Sequence, residues 1–206
     1  MDLYYSDPAT IGNAALKPES SWSYEGGLDW NPTGERVTFT AVGFRLNQKD
    51  VIDYSKRVLA TPALTNAQKW QAINIASLDI SGAEASARLR VGRTQQVRLS
   101  YTAAHSGSFP TAYVSEYAYN YAAQNAIFGW TGIVGQLTAF TQVNVVQKTG
   151  RTAYPLWDLA LSRNAGTVRP YLRLANLANT GYEEIANVRM QGRAIMGGMQ
   201  FIWAKH

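Results

Sequence analysis

The sequence predicts an all-β fold, an antiparallel up-and-down meander of about nine transmembrane strands. Three observations predict it. Apolar and polar residues alternate with a period of two along most of the chain, the mark of strands with one apolar face. Short and long connections alternate, as they do between the two ends of an outer-membrane barrel. The composition, with 12 Tyr, 6 Trp and 17 Gly in 206 residues, favours strands and tight turns over long helices.

The first strand covers residues 22–30, where Trp22, Tyr24, Gly26, Leu28 and Trp30 alternate with Ser23, Glu25, Gly27 and Asp29. A turn at residues 31–35 leads to a second strand from Val37 towards Tyr54. Its phase is mixed, since Phe39, Ala41 and Gly43 or Val42, Phe44 and Leu46 could form the apolar face, and this suggests a bulge. A polar connection at residues 59–69 precedes a long strand over 70–91, whose phase flips near Gly82. The turn at 92–95 and the run Val97, Leu99, Tyr101, Ala103 make the cleanest hairpin. Beyond residues 105–112 comes a Tyr-rich strand through Tyr113, Tyr117, Tyr119 and Tyr121 towards Trp130, then a turn at 132–135 and a partner with Leu137, Ala139, Val143 and Val145. Three more strands span 154–163, 168–177 and 193–203, with a turn at 164–167 between the first two.

Alternation alone fits a soluble sandwich as well as a barrel. The polar face separates them better: Arg88, Arg90, Arg98, Arg169, Arg173, Glu25, Asp29 and Glu84 lie among small polar residues, and Arg can pair bidentately with a carboxylate across a wet interior. Trp22, Trp30, Trp130, Trp157 and Trp203 near strand ends suit an aromatic girdle. The net charge of +5 is scattered rather than gathered in a basic run, which argues against a nucleic-acid partner. With no Cys, disulfides and thiolate chemistry are excluded. His105 and His206 are the sole histidines, no metal or nucleophile motif is present, and adjacent Glu183 and Glu184 would face opposite ways on a strand. No catalytic site, metal or cofactor is expected.

Two segments carry a resemblance. Gly12, Asn13, Ala14, Ala15, Leu16, Lys17, Pro18 and Glu19 resemble the Gly-Asn-x-x-Leu-Lys-Pro-Glu segment of TonB-dependent outer-membrane receptors, and Asn176, Leu177, Ala178, Asn179 and Tyr182, followed by Gly192 and Arg193, resemble the family's penultimate-strand signature and the opening of its last strand. A weaker third pattern is Gly82, Ala83, Glu84 before the hairpin that ends at Thr102. Ala178 and Gln191 depart from the common Thr and Pro, and Ala204, Lys205 and His206 follow the aromatic that usually ends such chains. Taken alone, Gly12 and Pro18 would also suit a plain loop, with Gly12 in a left-handed conformation.

The resemblance implies that these are the strands at the C-terminal end of a larger β-barrel, in a receptor of the cell outer membrane, exported by a signal peptide that the segment after Met1 does not resemble, which imports a scarce solute such as a ferric siderophore or cobalamin. It implies as partners a plug domain and further barrel strands beyond this chain, the energy-coupling TonB protein acting through the plug, outer-membrane lipid, the barrel-assembly machinery and a small-molecule metal chelate. It also places the surface loops at residues 1–20, 55–68, 105–112, 148–152 and 178–192. Tyr4, Tyr5, Phe109, Tyr113 and Tyr182 are the candidate ligand contacts there, because Tyr joins a flat apolar body to a polar tip. A small self-contained structural barrel and a soluble carbohydrate-binding sandwich remain as alternatives.

Overall fold

The period-two segments pair edge to edge in the order in which they leave the chain. A computed structural model describes residues 3–107, 112–118, 120–185 and 188–203. The elements are β1 (Thr10–Ile11), β2 (Ser20–Trp30), β3 (Pro32–Glu35), β4 (Val37–Arg57), α1 (Pro62–Ala67), β5 (Trp70–Val91), β6 (Gln95–Ser106), β7 (Tyr113–Ser115), β8 (Ala122–Val134), β9 (Leu137–Lys148), β10 (Tyr154–Arg163), β11 (Val168–Ala175), β12 (Glu183–Ile185), β13 (Val188–Arg189) and β14 (Ala194–Phe201). The spine is one sheet in the order β2-β4-β5-β6-β8-β9-β10-β11-β14, its neighbours all antiparallel, while β12 and β13 form a separate hairpin. Among the described residues β2 and β14 do not pair with each other, and no second sheet covers the apolar face. The sheet is therefore an open arc of barrel wall. It is neither a closed small barrel nor a sandwich.

Register explains the faces. One row runs Trp30, Phe39, Ala87, Leu99, Phe128, Val143, Trp157 directly across seven strands. Trp30, Phe39, Leu99, Phe128 and Trp157 in it are all exposed. Water would penalise such a belt, whereas lipid accepts it. Trp22 and Trp30 cap the two ends of this face on β2, eight residues and so about 27 Å apart along the strand, comparable with the apolar band of a barrel. The suspected bulge is absent: β4 and β5 stay in register from Val37 opposite Leu89 to Lys49 opposite Ser77. Phe39, Ala41 and Gly43 belong to the apolar face, and Val42, Phe44 and Leu46 to the polar one. Phe44 is there because it stands directly opposite Gly82 and lies where a Cβ on Gly82 would be. Tyr171 covers Gly198 in the same way.

The short turns sit where expected, with small differences: β8 runs through Gly132 to Val134, so the turn is Gly135 and Gln136. Gly34, Gly92, Gly135 and Gly166 all have positive φ in these connections, which glycine adopts without a Cβ clash. At the other end β4 and β5 continue past their neighbours as a tall hairpin with Val51, Tyr54, Ala72 and Leu78 buried. The polar connection expected at residues 59–69 contains α1, capped by the Thr61 hydroxyl, which accepts from the Leu64 N–H.

Two straps cross this hairpin. β1 pairs in parallel with the β5 edge, Thr10 opposite Trp70, before the chain reaches β2 on the far side of β4. After β6, residues 113–115 pair as β7 with the free edge of β4, Ser55 opposite Ser115, before the chain returns to β8. The expected continuous Tyr-rich strand is thus wrong: Tyr113 belongs to the strap, Tyr117 and Tyr121 to its return path, and Tyr119 lies outside the described residues. Asp53, 2% exposed, anchors the strap by accepting from the Ser115 hydroxyl and from the N–H groups of Tyr117 (3.1 Å) and Ala118 (3.4 Å).

Three outcomes follow. Replacing Phe128 by Arg on the apolar face should cost the barrel about 2–4 kcal/mol in folding titrations into lipid vesicles, and Ser100→Arg on the opposite face much less. Asp53 sits far up β4, beyond the span that lipid covers. Burial pushes its carboxyl above the ordinary 3.8, against the hydrogen bonds that favour the ionised form. A raised carboxyl holds its proton more tightly in the folded strap, so its contribution is fullest below 3.8 and is lost as pH rises through the higher folded value. Hydrogen-exchange protection of the Tyr117 and Ala118 amides, corrected for intrinsic rates, should therefore fall with rising pH, and Asp53→Asn should flatten that dependence.

Candidate functional site

The long connections gather at one end of the sheet, and three of them meet. Parity places Lys148 and Tyr154 on the polar face, at the loop ends of β9 and β10, with Tyr154 opposite Val146. Between β11 and β14 the chain folds back as the β12–β13 hairpin and brings Tyr182 onto Tyr154, their rings stacked with centroids 5.2 Å apart. Arg151 pairs with Glu183 at 3.2 Å. Lys148 Nζ and Asn120 Nδ2 both donate to the Glu184 carbonyl. Lys148, the last residue of the 12-residue β9, lies past the roughly ten residues that span lipid. Burial draws its ammonium below the ordinary lysine range, with Arg151 adding to the shift and Glu184 opposing it. Burial likewise raises the Tyr182 phenol. The result is a half-buried mouth of two stacked phenols with an ammonium, a guanidinium and the carboxylates of Glu183 and Glu184. Such a surface can grip a flat solute by stacking and a polar one by hydrogen bonds.

The sequence-derived candidates fall in different places. Tyr182 is in the mouth. Tyr4 and Tyr5 are exposed, on the turn that closes against Gly12 and Asn13, and Tyr113 is exposed on β7 beside the β4–β5 hairpin. Phe109 lies outside the described residues. Lys148, Arg151 and Tyr154 were missed, although parity could have found the two on strands: Val143 and Val145 mark the apolar face of β9, and Trp157, Leu159 and Leu161 that of β10, so Lys148 and Tyr154 must face the other way.

The motif residues do structural work around this end. Asn13 donates its N–H to the Leu3 carbonyl (2.9 Å) and accepts at Oδ1 from the Ala15 N–H, while a Cβ on Gly12 would lie 2.5 Å from the Tyr5 backbone. Gly12 is thus needed for close approach; it is not among the residues with positive φ. Leu16 is half-buried. Asn74 clamps Lys17 from both sides, accepting its N–H at 2.8 Å and donating to its carbonyl at 3.0 Å. Pro18 has no N–H to satisfy, and Glu19 accepts from the Ile52 N–H just past the last β2–β4 pair, Ser20 opposite Lys49.

Asn176 and Asn179 both have positive φ, 49° and 54°, a region Asn tolerates better than most residues. Asn176 is buried; it accepts the Thr180 N–H and donates to the Thr180 carbonyl, both at 2.8 Å, while its own N–H donates to Asp158. Leu177 donates to the Trp157 carbonyl at 2.7 Å. Asn179 Oδ1 accepts the Arg193 N–H at 2.9 Å, and a Cβ on Gly192 would meet that same oxygen. Asn176→Ala should therefore lower the urea midpoint of the folded barrel by an amount worth about 2–4 kcal/mol, from lost buried hydrogen bonds plus the left-handed backbone.

Comparisons with known proteins agree on the architecture. Against curated protein sequences the chain has no match. The family described as "TonB dependent receptor-like, beta-barrel" matches residues 1–192. Among solved structures the chain is similar to the copper transporter OprC, with a TM-score of 0.68 at 18% identity over 92% of this chain and 33% of that one. It is similar also to the FrpB iron transporter from Neisseria meningitidis (0.66, 16%, covering 93% and 31%) and to the siderophore receptor PirA from Acinetobacter baumannii (0.64, 17%, covering 93% and 33%). The chain spans about a third of the length of these proteins. With the family match covering nearly all of its strands, the chain belongs to the TonB-dependent receptors, as an arc of their β-barrel.

Proposed function

We propose that the receptor carrying these strands captures a scarce metal chelate, such as a ferric siderophore or cobalamin, at the outer surface of the outer membrane, and that the mouth formed by Lys148, Arg151, Tyr154 and Tyr182 is part of its ligand site. The observation that carries this reading is the convergence of three loops on one stacked Tyr pair flanked by Lys148 and the Arg151–Glu183 ion pair, at the loop end of the polar face. The similar solved structures are a copper transporter, an iron transporter and a siderophore receptor, which supports a metal-bound solute. Import would then draw on TonB through a plug domain, with these strands supplying wall and mouth. Tyr4, Tyr5 and Tyr113 would contribute at the rim of the β4–β5 hairpin.

In the full-length receptor, Tyr154→Ala and Tyr182→Ala should each weaken binding of the cognate chelate about tenfold, roughly 1.4 kcal/mol. A panel of radio-iron-loaded siderophores and labelled cobalamin identifies that chelate. Unchanged affinity in both variants, with normal surface levels, would remove the mouth from the ligand site.

A further inference from the structure

The lipid-facing side changes character at the loop end of β4, β5 and β6. Towards the short turns, the row through Val37, Leu89, Val97 and Trp130 to Ile195 on β14 carries no charge. Eight residues further along β4 the row is Tyr24, Arg45, Ser81, His105, and Lys49 follows four residues beyond Arg45. Arg45 and Lys49 share the parity of Phe39, and His105 that of Leu99, so all three point outward and not into the barrel. Each is exposed, and none makes a hydrogen bond or ion pair with a described residue. The acid between them, Asp79, accepts from the Asn47 side chain directly opposite. The gathering is local, since the outward positions at the loop end of β8 to β11 are Gln124, Gln147, Pro155 and Leu174.

Beneath these cations the face is hollow. The next row down is Gly26, Gly43, Ala83, Ala103, and below it come Leu28, Ala41, Ala85 and Tyr101. These side chains leave a groove of about 600 Å³, which continues past Leu28, Ala41, Ala85 and Tyr101 into a second of about 600 Å³ that reaches the stacked Trp30–Phe39 pair and Phe128. Tyr101 forms one wall and is pinned by its hydroxyl, which donates to Gln124 at 3.0 Å.

We infer that this sector seats one molecule of a doubly phosphorylated, multiply acylated glycolipid from the loop-side leaflet, with its acyl chains in the groove and its phosphates on Arg45 and Lys49, beside His105. Position selects a lipid, because the groove opens sideways into hydrocarbon, where acyl chains are the solvent. Charge selects an anionic head group, because a guanidinium and an ammonium with no acid of their own match phosphate. Spacing selects two phosphates on a rigid spacer such as a disaccharide: Arg45 and Lys49 stand about 13 Å apart along β4, and Arg45 and His105 about 10 Å apart across two strands. A cation that merely snorkels to the leaflet surface needs no hollow beneath it and could stand anywhere around the belt.

The test uses the full-length receptor, delipidated in detergent and offered three probes: lipid A with both phosphates, the same lipid A dephosphorylated, and cardiolipin. Native mass spectrometry counts the lipid retained. The expected result is one retained bisphosphorylated lipid A, held about tenfold more tightly than either other probe. Arg45→Gln with Lys49→Gln should weaken it about tenfold, and Ala85→Phe, which fills the groove and leaves both cations, several-fold. Arg88→Gln with Arg98→Gln, an equal loss of charge on the opposite face, should leave it unchanged. Gel mobility before and after boiling checks that each variant is folded. Equal retention of dephosphorylated lipid A or of cardiolipin by the wild type overturns the head-group assignment, and that comparison needs no variant. Unchanged retention in the folded Arg45 and Lys49 double variant, or an equal loss in the opposite-face variant, overturns the seat. Unchanged retention in Ala85→Phe overturns the place given to the acyl chains.

Discussion

Backbone hydrogen bonding in a medium that offers no water is the constraint on which the rest of this structure depends. Each N–H and C=O within lipid needs a strand beside it. The long pairs meet that need with almost no slippage; β8–β9 shifts register once, between Ala122 and Gln124, at its loop end. Where the ladder stops, side chains take over the role of the missing strand. Glu19 accepts the Ile52 N–H past the end of β2, Asp53 accepts the amides that follow β7, Asn74 grips Lys17 through both backbone groups, and Asp158 accepts the N–H of Asn176. The two family motifs contribute to this exchange, which gives a physical reason for Asn, Glu and Pro at those positions.

A fixed ladder also fixes parity, and parity sorts chemistry. Because the register of β4 and β5 never shifts, the change of apolar phase near Gly82 cannot be a flip of the strand. It marks a change of surroundings. Below Gly82 the apolar set is the alanine row facing lipid; above it the same pleat leaves the membrane, and Leu78 and Ala72, on the other face, are buried under protein. One strand thus serves two solvents in succession. The glycines opposite Phe44 and Tyr171 belong to the same logic, since a ring laid across a glycine lets a large side chain sit on the polar face without forcing the strands apart.

Strand number, order and the distinction between trimmed and elaborated ends were legible in the sequence because they depend on local alternation and on turn residues. The crossings were not. Tyr113 and Tyr117 alternate well enough to look like the start of β8, yet β4 has a free edge above Lys49 and captures that segment, a long-range competition that no local pattern records. The same holds for α1, whose single turn and a half is held by the Thr61 cap and has no apolar period to announce it. In the mouth, Tyr182 was visible as an aromatic in a loop. Its partners were legible only by carrying parity to the last residue of β9 and the first of β10, where short apolar runs end and periodicity loses its force.

The mouth therefore depends on the wall in a specific way. Tyr154 and Lys148 are positioned by rigid strands, whereas Tyr182, Glu183 and Glu184 arrive from a hairpin whose approach is held by Asn176 and Asn179 and whose first strand is held by Arg151, Lys148 and Asn120. A register slip of one residue in β9 or β10 would turn Lys148 or Tyr154 to the lipid side and leave the hairpin nothing to stack on. The lipid constraint prevents that slip, because it would also move Val143 or Trp157 off the apolar belt. The requirement that bonds every backbone group in the membrane is thus what holds two phenols and two cations together above it.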